Sequence, residues 1–205
     1  ATLTGTASVC VGSTVNGYTT EAGKTNYVWT VTGGTLTSVG HVATVNWSTV
    51  GPQTISVTYE NSYGCSPATP AVLNVMVNPL PTATISITGN PSICSGGSSV
   101  LTVSLTGNGP WTYYWSDDNG VTFHEVIASS SPSTFSVNPT SNTTYTIASV
   151  TDVNGCTNAG TGDVRIYVGP ITTVDPIEDA CIGTDIEIPV RVKSFAEVGS
   201  IALTL

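Results

Sequence analysis

Tyr27-Val28-Trp29-Thr30-Val31-Thr32-Gly33-Gly34 alternates aromatic or aliphatic side chains with smaller ones and then stops on two glycines. A period of two puts Tyr27, Trp29 and Val31 on one face and Val28 and Thr30 on the other, which is the signature of a strand with one buried face. The pair of glycines ends it as a turn. Thr112-Tyr113-Tyr114-Trp115-Ser116 corresponds to Asn26-Tyr27-Val28-Trp29-Thr30, and phrases on either side correspond as well. Val9-Cys10-Val11-Gly12, Ile93-Cys94-Ser95-Gly96 and Ala180-Cys181-Ile182-Gly183 are three copies of an opening phrase, apolar-Cys-x-Gly. Tyr63-Gly64-Cys65-Ser66 and Asn154-Gly155-Cys156-Thr157 are two copies of a closing phrase. Opening Cys, central Trp and closing Gly-Cys recur in one order with a period of about 85 to 90 residues, so the chain is an array of small β domains.

Composition agrees with that reading. In 205 residues there are 4 Lys and Arg, 13 Asp and Glu, 21 Gly and 12 Pro, and a formal net charge of -9. Ser and Thr exceed a quarter of the chain. Abundant Val, Thr and Gly with little Ala, Leu or Lys disfavours helix and favours strands and turns. Four scattered cations (Lys24, Arg165, Arg191, Lys193) give no electrostatic footprint for a phosphate backbone, so nucleic acid is excluded as a partner. No apolar run approaches the length that spans a bilayer, and the first residues lack the basic and apolar regions of a signal peptide, so a mature soluble segment is expected.

The fold expected is all-β: tandem immunoglobulin-like β-sandwiches over residues 1–79 and 80–169, with residues 170–205 opening a third domain that is truncated or completed by another chain. In the first unit strands are expected at Val9–Tyr18, Tyr27–Thr32, Gly40–Trp47, Gln53–Glu60 and Val72–Val77. In the second they are expected at Ala83–Thr88, Ser98–Thr106, Trp111–Ser116, Glu125–Ile127, Thr134–Val137, Thr144–Asp152 and Gly162–Val168. Pro79-Leu80-Pro81-Thr82 is too short and too stiff for a flexible linker and holds the two end to end. After Ile171, the alternation of Ile186, Ile188, Val190 and Val192 with Glu187, Arg191 and Lys193 reads as one half-buried strand, and residues from Val198 begin a second. Two strands cannot bury their apolar faces alone.

The repeat order pairs Cys10 with Cys65 and Cys94 with Cys156, each bridge closing one domain, and leaves Cys181 unpaired in this chain. Trp29 and Trp115 are the expected core aromatics, with Trp29 over the first bridge. Such bridges imply an oxidising, extracytoplasmic setting.

The two units resemble the PKD-like and immunoglobulin-like repeats of large secreted surface proteins of Bacteroidetes-type bacteria. The residues that carry this are Tyr27 to Gly34, Val45-Asn46-Trp47 and Gly51-Pro52 in the first unit. In the second they are Ile93-Cys94-Ser95-Gly96, Thr143-Thr144-Tyr145-Thr146 and Val150-Thr151-Asp152-Val153-Asn154-Gly155-Cys156. Ile186 to Val192, with Phe195 and Val198 to Leu205, resembles the opening strands of a cohesin-like domain. The Trp-x-Phe-Gly-Asp-Gly phrase of many PKD domains is missing. The resemblance implies export by the type IX system, a place at the bacterial surface, and service as spacer, adhesive module or carrier of neighbouring catalytic domains. Its partners would be other domains of the same chain, neighbouring copies, or surface glycans or proteins. A filament subunit completed by strand addition, and the accessory region of a secreted hydrolase, are the other readings.

Chemistry-bearing residues are few. His41 and His124 fall in different units, and no nucleophile, metalloprotease or phosphate-loop motif is present, so no enzyme and no cofactor is expected. Calcium is the one metal considered, at Asp117, Asp118, Asp152 and Asn154, because hard oxygens at β turns suit it. The same Asp-Asn-Gly and Asn-Gly phrases are good hairpin turns in their own right. Trp111, Tyr114 and Phe123 are the candidate ligand-facing aromatics.

Overall fold

The computed structural model describes residues 1–169, 171–174 and 190–193. Every regular element among them is a β-strand. In the first unit these are β1 (Ser8–Cys10), β2 (Thr14–Thr19), β3 (Thr25–Val31), β4 (Gly34–Val39), β5 (Val42–Trp47), β6 (Gly51–Glu60) and β7 (Ala71–Asn78). One sheet has the order β1-β7-β6-β3 and the facing sheet β2-β5-β4. β1 runs parallel to β7, with Cys10 level with Asn78, and the other pairs are antiparallel. Alternation decides which side chains go inward: along β6, Ile55, Val57 and Tyr59 are buried and the residues between them are not. Between the sheets Trp47 and Tyr18 are fully covered, with Trp29, Val45, Val75 and Val77 around them. Trp47 Nε1 donates to Tyr18 Oη at 3.2 Å, and Tyr18 Oη donates to the Thr6 carbonyl at 2.9 Å, so the buried polar tips are satisfied.

The second unit consists of β8 (Ala83–Ile87), β9 (Ser92–Cys94), β10 (Ser99–Leu105), β11 (Trp111–Ser116), β12 (His124–Ala128), β13 (Ser133–Val137), β14 (Thr143–Thr151), β15 (Thr157–Ala159) and β16 (Asp163–Gly169). Its sheets have the orders β13-β10-β8 and β12-β11-β14-β16-β9, with β15 against β14. Here β9 runs parallel to β16, with Cys94 level with Gly169. Leu101, Val103, Tyr113, Val150 and Ile166 are fully buried between the sheets.

The expected strand Val9–Tyr18 is two strands in two sheets. Gly12, at φ 83°, turns the chain after Cys10 and sends β2 to the opposite layer. β4 was not anticipated because its six residues are mostly exposed and show no apolar alternation. β9 and β15, at three residues each, are too short to display a period. Beyond Gly169, β17 (Ile171–Val174) pairs antiparallel with β18 (Val190–Lys193). Cys181 and most of the expected third domain, 170–205, lie outside the described residues.

Candidate functional site at the joint

Two turns made from the repeated cysteine phrases meet at Asn78-Pro79-Leu80-Pro81-Thr82. In the opening turn, the Ser13 amide donates to the Cys10 carbonyl at 3.1 Å. Buried Asn78 fastens β1 to the end of β7, donating through Nδ2 to Ser8 Oγ at 3.0 Å and to the Val9 carbonyl at 3.1 Å. In the closing turn, Asp152 Oδ1 accepts the amides of Asn154 and Cys156, both at 3.0 Å, while the Cys156 carbonyl accepts the Asp152 amide at 3.0 Å. Pro81 is buried, and its carbonyl accepts Asn158 Nδ2 at 3.0 Å. Gly107, at φ 92°, lies so close that a Cβ there would come within 3.2 Å of Pro81 Cβ. Across this joint Cys10 of the first sandwich is bonded to Cys156 of the second, with Cα atoms 5.5 Å apart.

That bridge corrects the pairing expected from repeat order. Cys10 does not pair with Cys65, nor Cys94 with Cys156; Cys65 and Cys94 are exposed free thiols. The reason is the direction of the strands. Cys10 sits beside the last residue of β7, whereas Cys65 lies in the turn that precedes its first. Eight strand residues separate those ends, roughly 25 Å at a rise of about 3.3 Å per residue. A disulfide needs Cα atoms about 4.4 to 6.8 Å apart. Cys94 and Cys156 are likewise at opposite ends of β16. Trp29 therefore covers no bridge. It is buried in the first core, level with Val57 of β6, and donates Nε1 to the Gly40 carbonyl at 3.0 Å.

The calcium candidates are committed to turns. Asp118 Oδ1 accepts Ser116 Oγ and the amides of Val121 and Thr122, and Oδ2 accepts Thr122 Oγ1. These bonds, the Thr122 hydroxyl foremost, hold its carboxyl well below the usual range. Asp152 spends Oδ1 on its own turn, while its Oδ2 accepts Asn154 Nδ2 at 3.4 Å and the Asn108 amide of the neighbouring loop at 3.5 Å. Asp117 lies 3.5 Å from His124 Nε2. Among the described residues no three His, Cys, Asp or Glu side chains converge to hold a metal.

Of the candidate ligand-facing aromatics, Trp111 is corrected: it is buried, in the core of the second sandwich, and donates Nε1 to the Thr106 carbonyl at 2.8 Å. Period two from buried Tyr113 requires this. Tyr114, on the other face, is half-buried and donates its hydroxyl to Glu125 at 2.8 Å. Phe123 is exposed. Trp115 packs half-buried against the second core, stacked with His124 and Phe135 at centroid distances of 4.0 and 4.9 Å. It borders an open groove of about 390 Å³ that Asp117, Pro139 and Tyr145 also line. Burial, and then nearby Asp117, push the Tyr145 hydroxyl up to about 12. His41 is exposed, far along the sequence and in the other sandwich from His124.

Two packed antiparallel layers, repeated in tandem and each closed by a parallel edge strand, make this an all-β chain of tandem immunoglobulin-like sandwiches. It is similar, at 13% identity and a TM-score of 0.45, to the I67–I69 I-band fragment of titin, with 92% of this chain and 73% of that one covered. It is also similar to fibronectin(III)-like modules of Clostridium thermocellum CbhA (13% identity, TM-score 0.40, 82% and 93% covered). A third similar structure is a segment of a 1.5-MDa bacterial ice-binding adhesin (16% identity, TM-score 0.41, 84% and 66% covered). No protein-family profile and no curated protein matches the chain.

Proposed function

We propose that this chain is a non-enzymatic repeat region of a bacterial surface adhesin or stalk, a stiff extracellular spacer that also presents its sandwich surfaces to partners. The observation that carries the proposal is the joint. A linker of four residues, Pro79-Leu80-Pro81-Thr82, is locked by a disulfide that ties one sandwich to the next rather than closing either. A cross-link in that place adds nothing to either core and restricts how one domain swings against its neighbour. It also requires an oxidising compartment, in keeping with an extracellular location.

Small-angle X-ray scattering on the 205-residue chain tests this, comparing the oxidised protein with Cys10→Ser. The oxidised chain is expected to scatter as one elongated particle of fixed shape. The variant should keep two folded sandwiches and show a broader distribution of distances between them. Equal breadth in both would remove the stiff-spacer reading.

A further inference from the structure

The two free thiols among the described residues, Cys65 and Cys94, are not scattered. Each occupies the repeat position of a cysteine that is bonded elsewhere in the same molecule. At the closing turns the correspondence extends to the hydrogen bonds that shape the turn. Asn61 accepts the amides of Tyr63 and Cys65 on Oδ1, at 2.9 and 3.0 Å, as Asp152 accepts those of Asn154 and Cys156. The Asn61 amide donates to the Cys65 carbonyl at 3.0 Å, as Asp152 does to Cys156. Gly64 and Gly155 have φ of 75° and 78°. The opening turns match in their backbone. Gly97 donates to the Cys94 carbonyl at 2.8 Å where Ser13 donates to Cys10, and Gly96 and Gly12 have φ of 84° and 83°. Both cysteines also end a short strand parallel to the last strand of their sandwich.

Cys65 is thus presented as Cys156 is, and Cys94 as Cys10 is. They differ in setting: Cys156 is buried at the joint, while Cys65 and Cys94 are exposed at the two poles that face away from it. We infer that Cys94 and Cys65 are the bridging positions for further joints of the same kind, so that the opening cysteine of each sandwich bonds the closing Gly-Cys cysteine of the sandwich that follows. Cys94 takes the closing cysteine of the next module, and Cys65 takes the opening cysteine of the module before. The partner in each case is another sandwich of this repeat. Each bond forms by loss of two thiol hydrogens, as two protons and two electrons, to a disulfide oxidant of the oxidising compartment, which leaves as a dithiol after a mixed-disulfide step. The result is a covalent ladder that runs from module to module without stapling any module internally.

The test is peptide mapping of the native full-length protein, purified with its free thiols blocked by N-ethylmaleimide and digested without reduction. The expected result is a Cys10–Cys156 peptide together with Cys94 bonded to a second peptide carrying a Gly-Cys closing phrase. Electrophoresis with and without reductant tells whether that second peptide belongs to the same chain or to another copy; either source satisfies the inference. N-ethylmaleimide on Cys94, or Cys94 bonded to Cys156 with Cys10 bonded to Cys65, overturns it. The stiff-spacer proposal fails separately: N-ethylmaleimide on Cys94 beside an intact Cys10–Cys156 peptide overturns the ladder alone, equal breadth of scattering removes the stiff spacer alone, and Cys94 bonded to Cys156 removes both.

Discussion

Glu21 shows how one side chain ties an end of the chain to the first sandwich. Its carboxylate accepts Thr20 Oγ1 at 2.7 Å and the Thr2 amide at 2.9 Å, and these bonds, Thr20 first, bring its pKa down to about 2. A folded-state pKa below the unfolded value of about 4.5 means stability that is complete above pH 4.5 and is lost as the pH falls toward 2. Glu21→Gln should therefore lower the melting temperature of the first sandwich slightly at pH 7, and the gap from the parent chain should close between about pH 4.5 and pH 2. Calorimetry across that range reads it; a gap that persists at pH 2 would mean the charge is not what holds Thr2. Among the described residues, the other carboxylate whose surroundings lower its pKa, Asp118, works inside a single turn. That is why phrases containing Asp-Asn-Gly read equally well as turn or metal ligand: the oxygens serve either use, and the arrangement of nearby amides chooses.

At the scale of elements, the central alternating strand gave the right faces but an incomplete list of what fills the core. Trp47 is more completely buried than Trp29, yet it is the last residue of its strand, just before the Ser48 to Gly51 turn, and is not among the core aromatics the sequence names. Its burial comes from the packing between the two sheets, with Tyr18 of the neighbouring strand β2 edge-on at 6.1 Å. Trp47→Ala should cost the first sandwich about 3–5 kcal/mol. The second sandwich has a separate core and should be unchanged, so denaturant unfolding ought to split into two transitions. One cooperative transition displaced as a whole would show that the joint couples the two cores. In the second unit, an extra residue in β14, Ala148, breaks its register with β11 between Tyr114 and Trp115. Trp115 stays on the inner face and packs at the edge of the core rather than within it.

Over the whole molecule, order along the chain is kept by the joint. Pro81 is buried against the Gly107 loop, Asn78 and Asn158 hold the chain on either side, and the Cys10–Cys156 bond spans the gap. Each of these contacts is made between groups of the protein itself, and a joint held in this way is expected to be indifferent to calcium. Dialysis against a chelator, followed by addition of millimolar calcium, should leave both melting transitions and the scattering profile where they were. A rise in either transition with calcium would reopen the acidic turns as ligands.

The sequence by itself determined that this is an all-β array with a repeated unit, because side-chain alternation, glycine turns and recurring cysteine phrases are local signals. It also placed Trp29 inward, since period two leaves little choice once Tyr27 and Val31 share its face. Which cysteine meets which was beyond it. Repeat order makes the partner within the same unit look nearest, but proximity in a sandwich depends on strand direction, and each strand carries the chain roughly a domain's length from one pole to the other. Only the tertiary structure put Cys10 at the pole that meets the next sandwich and Cys65 at the pole that faces away. The same dependence on packing hid Trp47 and turned Trp111 from a candidate surface ring into core.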